Sequence, residues 1–449
     1  MSLLNPGYLI FLSCSLMSSE VTAWLGFAIQ VEIYVVMGTA RVNRKAPLFQ
    51  TSLPMKKILA VFCFLLGAAS FAAPARDLGD VTVKVDASML SVRVSANTPE
   101  LNALAVQAFK SHGRYNVTTG TGQYDIKFTQ LGGNQVRVDI TKGSAQAPVH
   151  SQTVSGTSAR NALLRAADVA VEKTNGLGLK GFFASKVAFI GERTGKKEVY
   201  VGDLFFGEVK QITHDNALAL TPRWSPDGRY LLYTSFYKSG FPDIFRIDLG
   251  SFQRTSFVSL KGTNSGARYS PNGQQVAMTL SGEGNTEIYV SNAQGKMISR
   301  RTRSDAVKSS PCFSPDGTRL VYACEPGPQL YVMSVGGGAP MRVTSGISGY
   351  CAEPDWSRGN PNKIAFTMRD GRNFQVGVLD LGTRTGGRVS KASFDAVEPS
   401  WLADGRHLIY SARNARESRI CILDTETGRS TAVSPASLGT ALQASVYGP

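Results

Sequence analysis

From Lys186 onward the apolar positions fall in short runs rich in β-branched and aromatic residues, separated by polar and glycine-rich punctuation. That rhythm predicts half-buried strands rather than helices. The punctuation itself repeats. Trp224-Ser225-Pro226-Asp227-Gly228 precedes the run Tyr230 to Tyr233, Tyr269-Ser270-Pro271-Asn272-Gly273 precedes Gln275 to Thr279, and Phe313-Ser314-Pro315-Asp316-Gly317 precedes Arg319 to Ala323. Two worn copies follow, Glu353-Pro354-Asp355-Trp356-Ser357 and Glu398-Pro399-Ser400-Trp401-Leu402-Ala403-Asp404-Gly405. The aromatics at 224, 269, 313, 356 and 401 are 45, 44, 43 and 45 residues apart. Proline presets φ, Asp or Asn caps the turn, and Gly supplies the positive φ that closes it, so each phrase is a hairpin. A third run follows each hairpin (Asp243 to Ile247, Gln329 to Val332), then a short closing run such as Met341 to Thr344. Four strands per period of this length predict one propeller blade each.

The ends of the array complete one another. Tyr447-Gly448-Pro449 reads as a truncated sixth phrase with no strand after it, and Lys186 to Ile190 is a strand with no phrase before it. Pairing the two closes a ring of six blades over 181–449 and removes the exposed edges that an open array would carry.

Upstream, the pattern changes to helices among alternating strands. Thr98-Pro99-Glu100 opens a helix with Leu101, Leu104, Ala105, Ala108 and Phe109 on one face, and Thr157-Ser158 caps a second that runs to Thr174 and ends at Asn175-Gly176. Alternating runs at Val81 to Val85, Leu90 to Val94, Tyr124 to Phe128, Gln135 to Ile140 and Val149 to Val154 supply a mostly antiparallel sheet. Residues 76–180 therefore predict a small α/β (α+β) domain, making the chain multidomain.

Met55-Lys56-Lys57 followed by Ile58 to Leu66 and then Gly67 to Ala75 is a positive segment, an apolar segment and a small-residue cleavage zone, in the order of a secretory signal peptide. Translation is expected to start at Met55, with residues 1–54 a non-native extension, 55–75 the signal peptide, and a mature chain that begins near Arg76; the alternative is a signal anchor formed by Val21 to Met37, short for a span and interrupted by Glu32.

The net charge of +15 favours anionic partners. Lys and Arg are scattered, however, with no basic run interleaved with aromatics, so nucleic acid is not expected as a partner. The six cysteines form no CxxC pair; Cys312, Cys324, Cys351 and Cys421 read as buried thiols or as one disulfide pairing. Four isolated histidines lack ligand spacing, and no nucleophile elbow, P-loop or dinucleotide fingerprint occurs. Asp227, Asp316 and Asp404 sit singly in separate turns, too few for a calcium site. No catalytic residue, metal or cofactor is expected.

A signal peptide, a small α/β domain and a six-bladed ring of these repeats together resemble the TolB family, periplasmic components of the Tol-Pal envelope system. The repeat alone is shared with other propellers, including those fused to prolyl-oligopeptidase-type hydrolases. The junction Ala162-Leu163-Leu164-Arg165-Ala166-Ala167-Asp168, then Gly181-Phe182-Phe183 and Lys186 to Ile190, is more telling. The resemblance implies a non-enzymatic adaptor that binds the peptidoglycan-associated lipoprotein Pal on one propeller face. By position that face includes Thr263, Asn264, Ser309, Glu353 and Glu398, the residues before each aromatic. It also implies contact with a TolA-type inner-membrane protein through Arg76, Asp77, Leu78 and Val81, and a role in outer-membrane integrity, protein import and envelope constriction during cell division. Charge reversal at Glu353 and Glu398 is expected to weaken partner retention without unfolding. The competing reading is a propeller that binds a small ligand in its channel or serves a hydrolase.

Overall fold

The computed structural model describes residues 10–12, 33–35 and 89–448. Met1–Val81 forms a unit of its own, in which the described residues are the antiparallel pair Ile10–Leu12 and Ile33–Val35. The signal sequence at 55–75, the expected strand Val81 to Val85, and Arg76, Asp77, Leu78 and Val81 lie outside the described residues. The remaining unit, Thr82–Pro449, contains both the α/β domain and the propeller.

The α/β domain is a five-stranded sheet in the order Tyr115–Val117, Leu90–Ala96, Tyr124–Gln130, Gln135–Lys142, His150–Ser155. It is mixed rather than mostly antiparallel. Leu90–Ala96 runs parallel to both of its neighbours, and the other two pairings are antiparallel. The cause is helix α1, Pro99–Ser111, which crosses over between Leu90–Ala96 and Tyr115–Val117; such a crossover leaves the strands parallel. The short strand Tyr115–Val117 escapes the sequence pattern because it spans only three residues. Thr98 caps α1 by accepting the Leu101 N–H, and Ser158 caps α2, Ala159–Thr174, by accepting that of Asn161. Val92, Val94, Ile126, Phe128, Val136, Val138 and Ile140 share one core with the buried faces of both helices.

Downstream, six four-stranded sheets form the propeller. Each has an innermost strand that ends in the aromatic of the repeat, then a second, third and outermost strand, all antiparallel. In blade 1 the innermost strand is Ala441–Tyr447, which pairs with Lys186–Gly191. The seam expected from the sequence is therefore present, with one difference of register. Trp224 lies opposite Leu231, Tyr269 opposite Val276, Phe313 opposite Leu320, Trp356 opposite Ile364 and Trp401 opposite Leu408. In the seam the equivalent residue is Val446, opposite Val187, and not Tyr447. Tyr447 instead stacks on Trp224, with ring centroids 5.4 Å apart, so it joins blade 1 to blade 2.

Two polar devices repeat through the blades. At the turn, Ser225 donates to Asp227 Oδ1 (2.5 Å) and accepts the Tyr230 N–H (2.8 Å), and Ser270 with Asn272 and Ser314 with Asp316 repeat the arrangement. Between the two outer strands, a buried acid or amide at the start of the third strand accepts from a hydroxyl just after the fourth. The pairs are Glu198 with Thr213, Glu287 with Thr302, Gln329 with Thr344 and Gln375 with Ser390. The same hydroxyl accepts the next backbone N–H of the third strand, as Thr344 does from Leu330 at 3.0 Å. This satisfies the buried polar groups at the outer edge of the blade, where the ladder is shortest.

Candidate functional site

The inner strands give the channel a direction. Each begins at one mouth and ends in its aromatic at the other, where the Ser-Pro-Asp-Gly turns lie. The α/β domain sits on that turn-bearing side, over blades 6 and 1. Its helices, Phe182 and Phe183 share one apolar core with Phe205, Leu402, Ile409 and Leu438 of those blades. Arg160 forms a two-pronged pair with Asp203 (3.2 Å for each contact), and Ser158 donates to Glu208 at 2.7 Å. The Asp168 carboxylate accepts the N–H groups of Phe183 (2.6 Å) and Ala184 (3.0 Å), fixing the linker as it enters the first propeller strand.

At the same joint, Gly113 passes directly over Asp424, and a β-carbon there would overlap the carboxylate. His407 Nδ1 bonds Asp404 (2.6 Å), and its Nε2 accepts the Gly113 N–H (3.1 Å). The His112 ring lies 4.3 Å from that of His407. Among the described residues, His112, Asp404 and His407 form the one group whose donors are close enough for a metal. Both nitrogens of His407 are already committed, and the buried Arg406 guanidinium beside them pairs with Asp424, so this cluster is a domain joint. Burial, His407 and Arg406 hold the His112 pKa well below its usual value.

Of the residues expected on the partner face, Asn264, Ser309, Glu353 and Glu398 are built into the inner strands, and Thr263 lies just before one. Every inner strand carries a β-bulge three residues before its aromatic position, with a left-handed residue: Thr221, Gly266, Ser310, Glu353, Glu398 and Gln443. Glu353 accepts the Thr367 hydroxyl at 2.6 Å and the Glu398 N–H at 3.1 Å. Glu398 in turn accepts the Ser411 hydroxyl at 2.7 Å and the Gln443 N–H at 3.0 Å, and Gln443 Oε1 accepts the Thr221 N–H at 2.8 Å. Glu353, Glu398 and Gln443 thus each bind the backbone of the next blade. Burial and the neighbouring Glu398 push the Glu353 carboxyl up. The paired Glu-Pro register marks a shared role, but that role is to join blades 5, 6, 1 and 2 around the channel. Charge reversal there would remove these acceptors, so a loss of stability is expected beside any effect on partner retention.

Asn264 is fully buried and bonds the carbonyls of Leu260 (2.7 Å) and Gly262 (3.1 Å), shaping its own loop. Ser309 lies inside an inner strand opposite Ala323, and the Thr263 N–H donates to Ser281. The mouth away from the turns carries exposed apolar side chains among exposed charged ones such as Lys238 and Lys261. Leu218, Leu260, Val307 and Phe394 end the loops leading into inner strands, and Tyr237 and Phe241 occupy the hairpin between the second and third strands of blade 2. Phe241 is 68% exposed. These side chains were missed in the sequence because they lie in separate loops; only the strand directions place them on one rim.

The turn-side mouth is basic. A funnel of about 220 Å³ is lined by Lys180, Arg223, Arg268 and Arg358, with Asp355 as its carboxylate. Arg268 crosses the channel to Asp355 Oδ1 at 2.6 Å, and Asp355 Oδ2 accepts the Trp401 N–H at 2.8 Å. Cys312 lies beside this pair, its thiol pKa raised by burial. Cys312, Cys324, Cys351 and Cys421 are all free, so the thiol alternative holds for the described cysteines. No helix among the described residues is long and apolar enough to cross a membrane.

Residues 174–445 match the family described as PD40, TolB beta propeller domain. The chain is 34% identical over 163 residues to "Protein TolB homolog" of Chlorobium luteolum, covering 36% of this chain and 37% of that relative. It is 38% identical over 127 residues to "Tol-Pal system protein TolB" of Desulfosudis oleivorans, covering 28% of each. These alignments thus span little more than a third of the length of the curated relatives. Among solved structures, TolB from Acinetobacter baumannii superposes with a TM-score of 0.70 at 21% identity, over 80% of this chain and 96% of that one, which is a likeness of fold.

Proposed function

The chain belongs to the TolB β-propeller family, and from that premise we propose that it is a non-enzymatic, protein-binding scaffold of the Tol-Pal system. The observation that carries this reading is the apolar rim at the mouth facing away from the α/β domain. Exposed large apolar side chains gathered on one face are a protein-docking feature. We assign that rim, with Thr263 at its edge, to the lipoprotein Pal; Asn264, Ser309, Glu353 and Glu398 shape the mouth from within. The segment Arg76, Asp77, Leu78 and Val81 is proposed to engage a TolA-type inner-membrane protein, after export into the periplasm through the signal peptide that begins at Met55. The role in outer-membrane integrity and envelope constriction follows from holding those two partners.

The test is affinity capture. The full chain, immobilised and verified as folded by circular dichroism, is exposed to a Gram-negative envelope extract, and retained proteins are identified by mass spectrometry. A peptidoglycan-binding lipoprotein should be retained, and the double variant Leu260→Asp, Phe241→Asp should lose it while melting within a few degrees of the parent. Retention of no such lipoprotein by the folded parent overturns the reading.

A further inference from the structure

We propose that the turn-side mouth of the channel is a binding site for a small multivalent oxyanion of the phosphate or phosphomonoester type, separate from the partner rim at the opposite mouth. The argument starts from unequal pairing. Lys180, Arg223, Arg268 and Arg358 line the funnel against the single carboxylate of Asp355. That carboxylate is spent: one oxygen takes Arg268, and the other takes the Trp401 N–H. Arg223 forms no ion pair among the described residues and gives one hydrogen bond, to the Pro222 carbonyl at 3.2 Å. A guanidinium carries five donors in a planar fork, so most of the hydrogen-bonding capacity of Arg223 points into the funnel unused.

The position is electrostatically costly as it stands. Burial and the neighbouring Arg268 charge pull the Arg223 pKa down to about 10. An oxyanion in the funnel would relieve both effects and accept from Arg223 and Arg358 together, in the charge-assisted geometry that guanidinium groups favour. Size decides the class. About 220 Å³ is below the roughly 300–1,000 Å³ typical of pockets for drug-sized ligands, which suits a phosphate group better than a larger ligand. The excess of three positive charges favours a dianion over a monovalent carboxylate.

The experiment titrates the full chain in a low-salt, phosphate-free buffer by calorimetry and by melting temperature, using inorganic phosphate, glycerol 3-phosphate and acetate at matched ionic strength. Phosphate or the phosphomonoester should give a saturable heat below about 10 mM and a rise in melting temperature, and acetate should give neither. If both phosphates bind alike, the site reads the phosphate group; if only the ester binds, its source is a phosphorylated sugar or lipid headgroup. Arg358→Gln, at an exposed turn position, and Arg223→Gln should each weaken binding about tenfold. The unliganded Arg358→Gln variant should melt with the parent. No saturable heat with either phosphate, or undiminished affinity in the folded Arg358→Gln and Arg223→Gln variants, overturns the proposal. Neither result bears on lipoprotein capture at the other mouth.

Discussion

Arg406 and Asp424 illustrate how much of this molecule rests on single buried charges. The pair is two-pronged, at 3.0 and 2.6 Å, with both side chains almost fully enclosed. Neutralising Asp424 leaves the enclosed Arg406 guanidinium with only the half-exposed Glu426 as counter-charge, so Asp424→Asn is expected to cost about 3 kcal/mol in urea denaturation. Gly113→Ala should loosen the same joint by forcing a methyl group against Asp424. Asp168 gives a pH signature. Burial pushes its carboxyl up to about 7, against the pull of the N–H groups of Ala184 and Phe183. The native state therefore holds this proton at pH values where the unfolded chain, with an ordinary carboxyl near 4, has released it. Its contribution is full below about pH 4 and is lost as pH rises through 7. The stability advantage of the parent over Asp168→Asn should shrink steadily from pH 4 to pH 8, and parallel profiles would refute the assignment. None of these residues was legible as special in the sequence. Asp168 was read only as part of the junction segment, and Arg406, just before one strand of blade 6, meets Asp424, at the end of the next, only in the fold.

At the level of strands, legibility was high where a local rule decides the outcome. The Ser-Pro-Asp-Gly turns needed only the φ preferences of Pro and Gly and the short reach of Ser and Asp, all within five residues. The caps at Thr98 and Ser158 were likewise local. The bulge ring was not legible, because its side chains act on the neighbouring blade; Glu398 reaches Gln443, 45 residues away. The seam register failed for a related reason. An aromatic was expected at the position Val446 holds, and Tyr447 was taken for it, although pairing with Val187 fixes the register. The ring predicts graded effects. Glu398→Ala leaves the Ser411 hydroxyl without its acceptor and the Gln443 N–H with Ser411 Oγ alone, and is expected to cost about 1–3 kcal/mol, read as a lower midpoint in urea. An exposed turn change such as Asp380→Ala, which touches only its own loop, should cost well under half of that.

Across the whole molecule, the two mouths of one channel differ in chemistry. One is rimmed by Leu218, Tyr237, Phe241, Leu260, Val307 and Phe394, while the other carries the α/β domain and a cluster of cations. The sequence announced the ring but not this polarity, because the rim and the cation cluster assemble from residues spread over five blades. Salt should separate the two surfaces. Raising ionic strength from 50 to 500 mM is expected to weaken phosphate binding strongly while leaving retention at the apolar rim largely intact, measured by calorimetry and by capture respectively.

The seam also bears on how the ring can be made. Ala441 pairs with Gly191, so about 250 residues of chain lie between the two edges that meet last. When such a chain emerges amino end first during synthesis, five blades can assemble while the circle stays an open arc. Until the closing strand arrives, both ends of that arc present bare backbone to any neighbouring chain. A chain halted at Thr440 should therefore associate and precipitate instead of remaining monomeric, and a holdase that shields strand edges should be able to delay that loss.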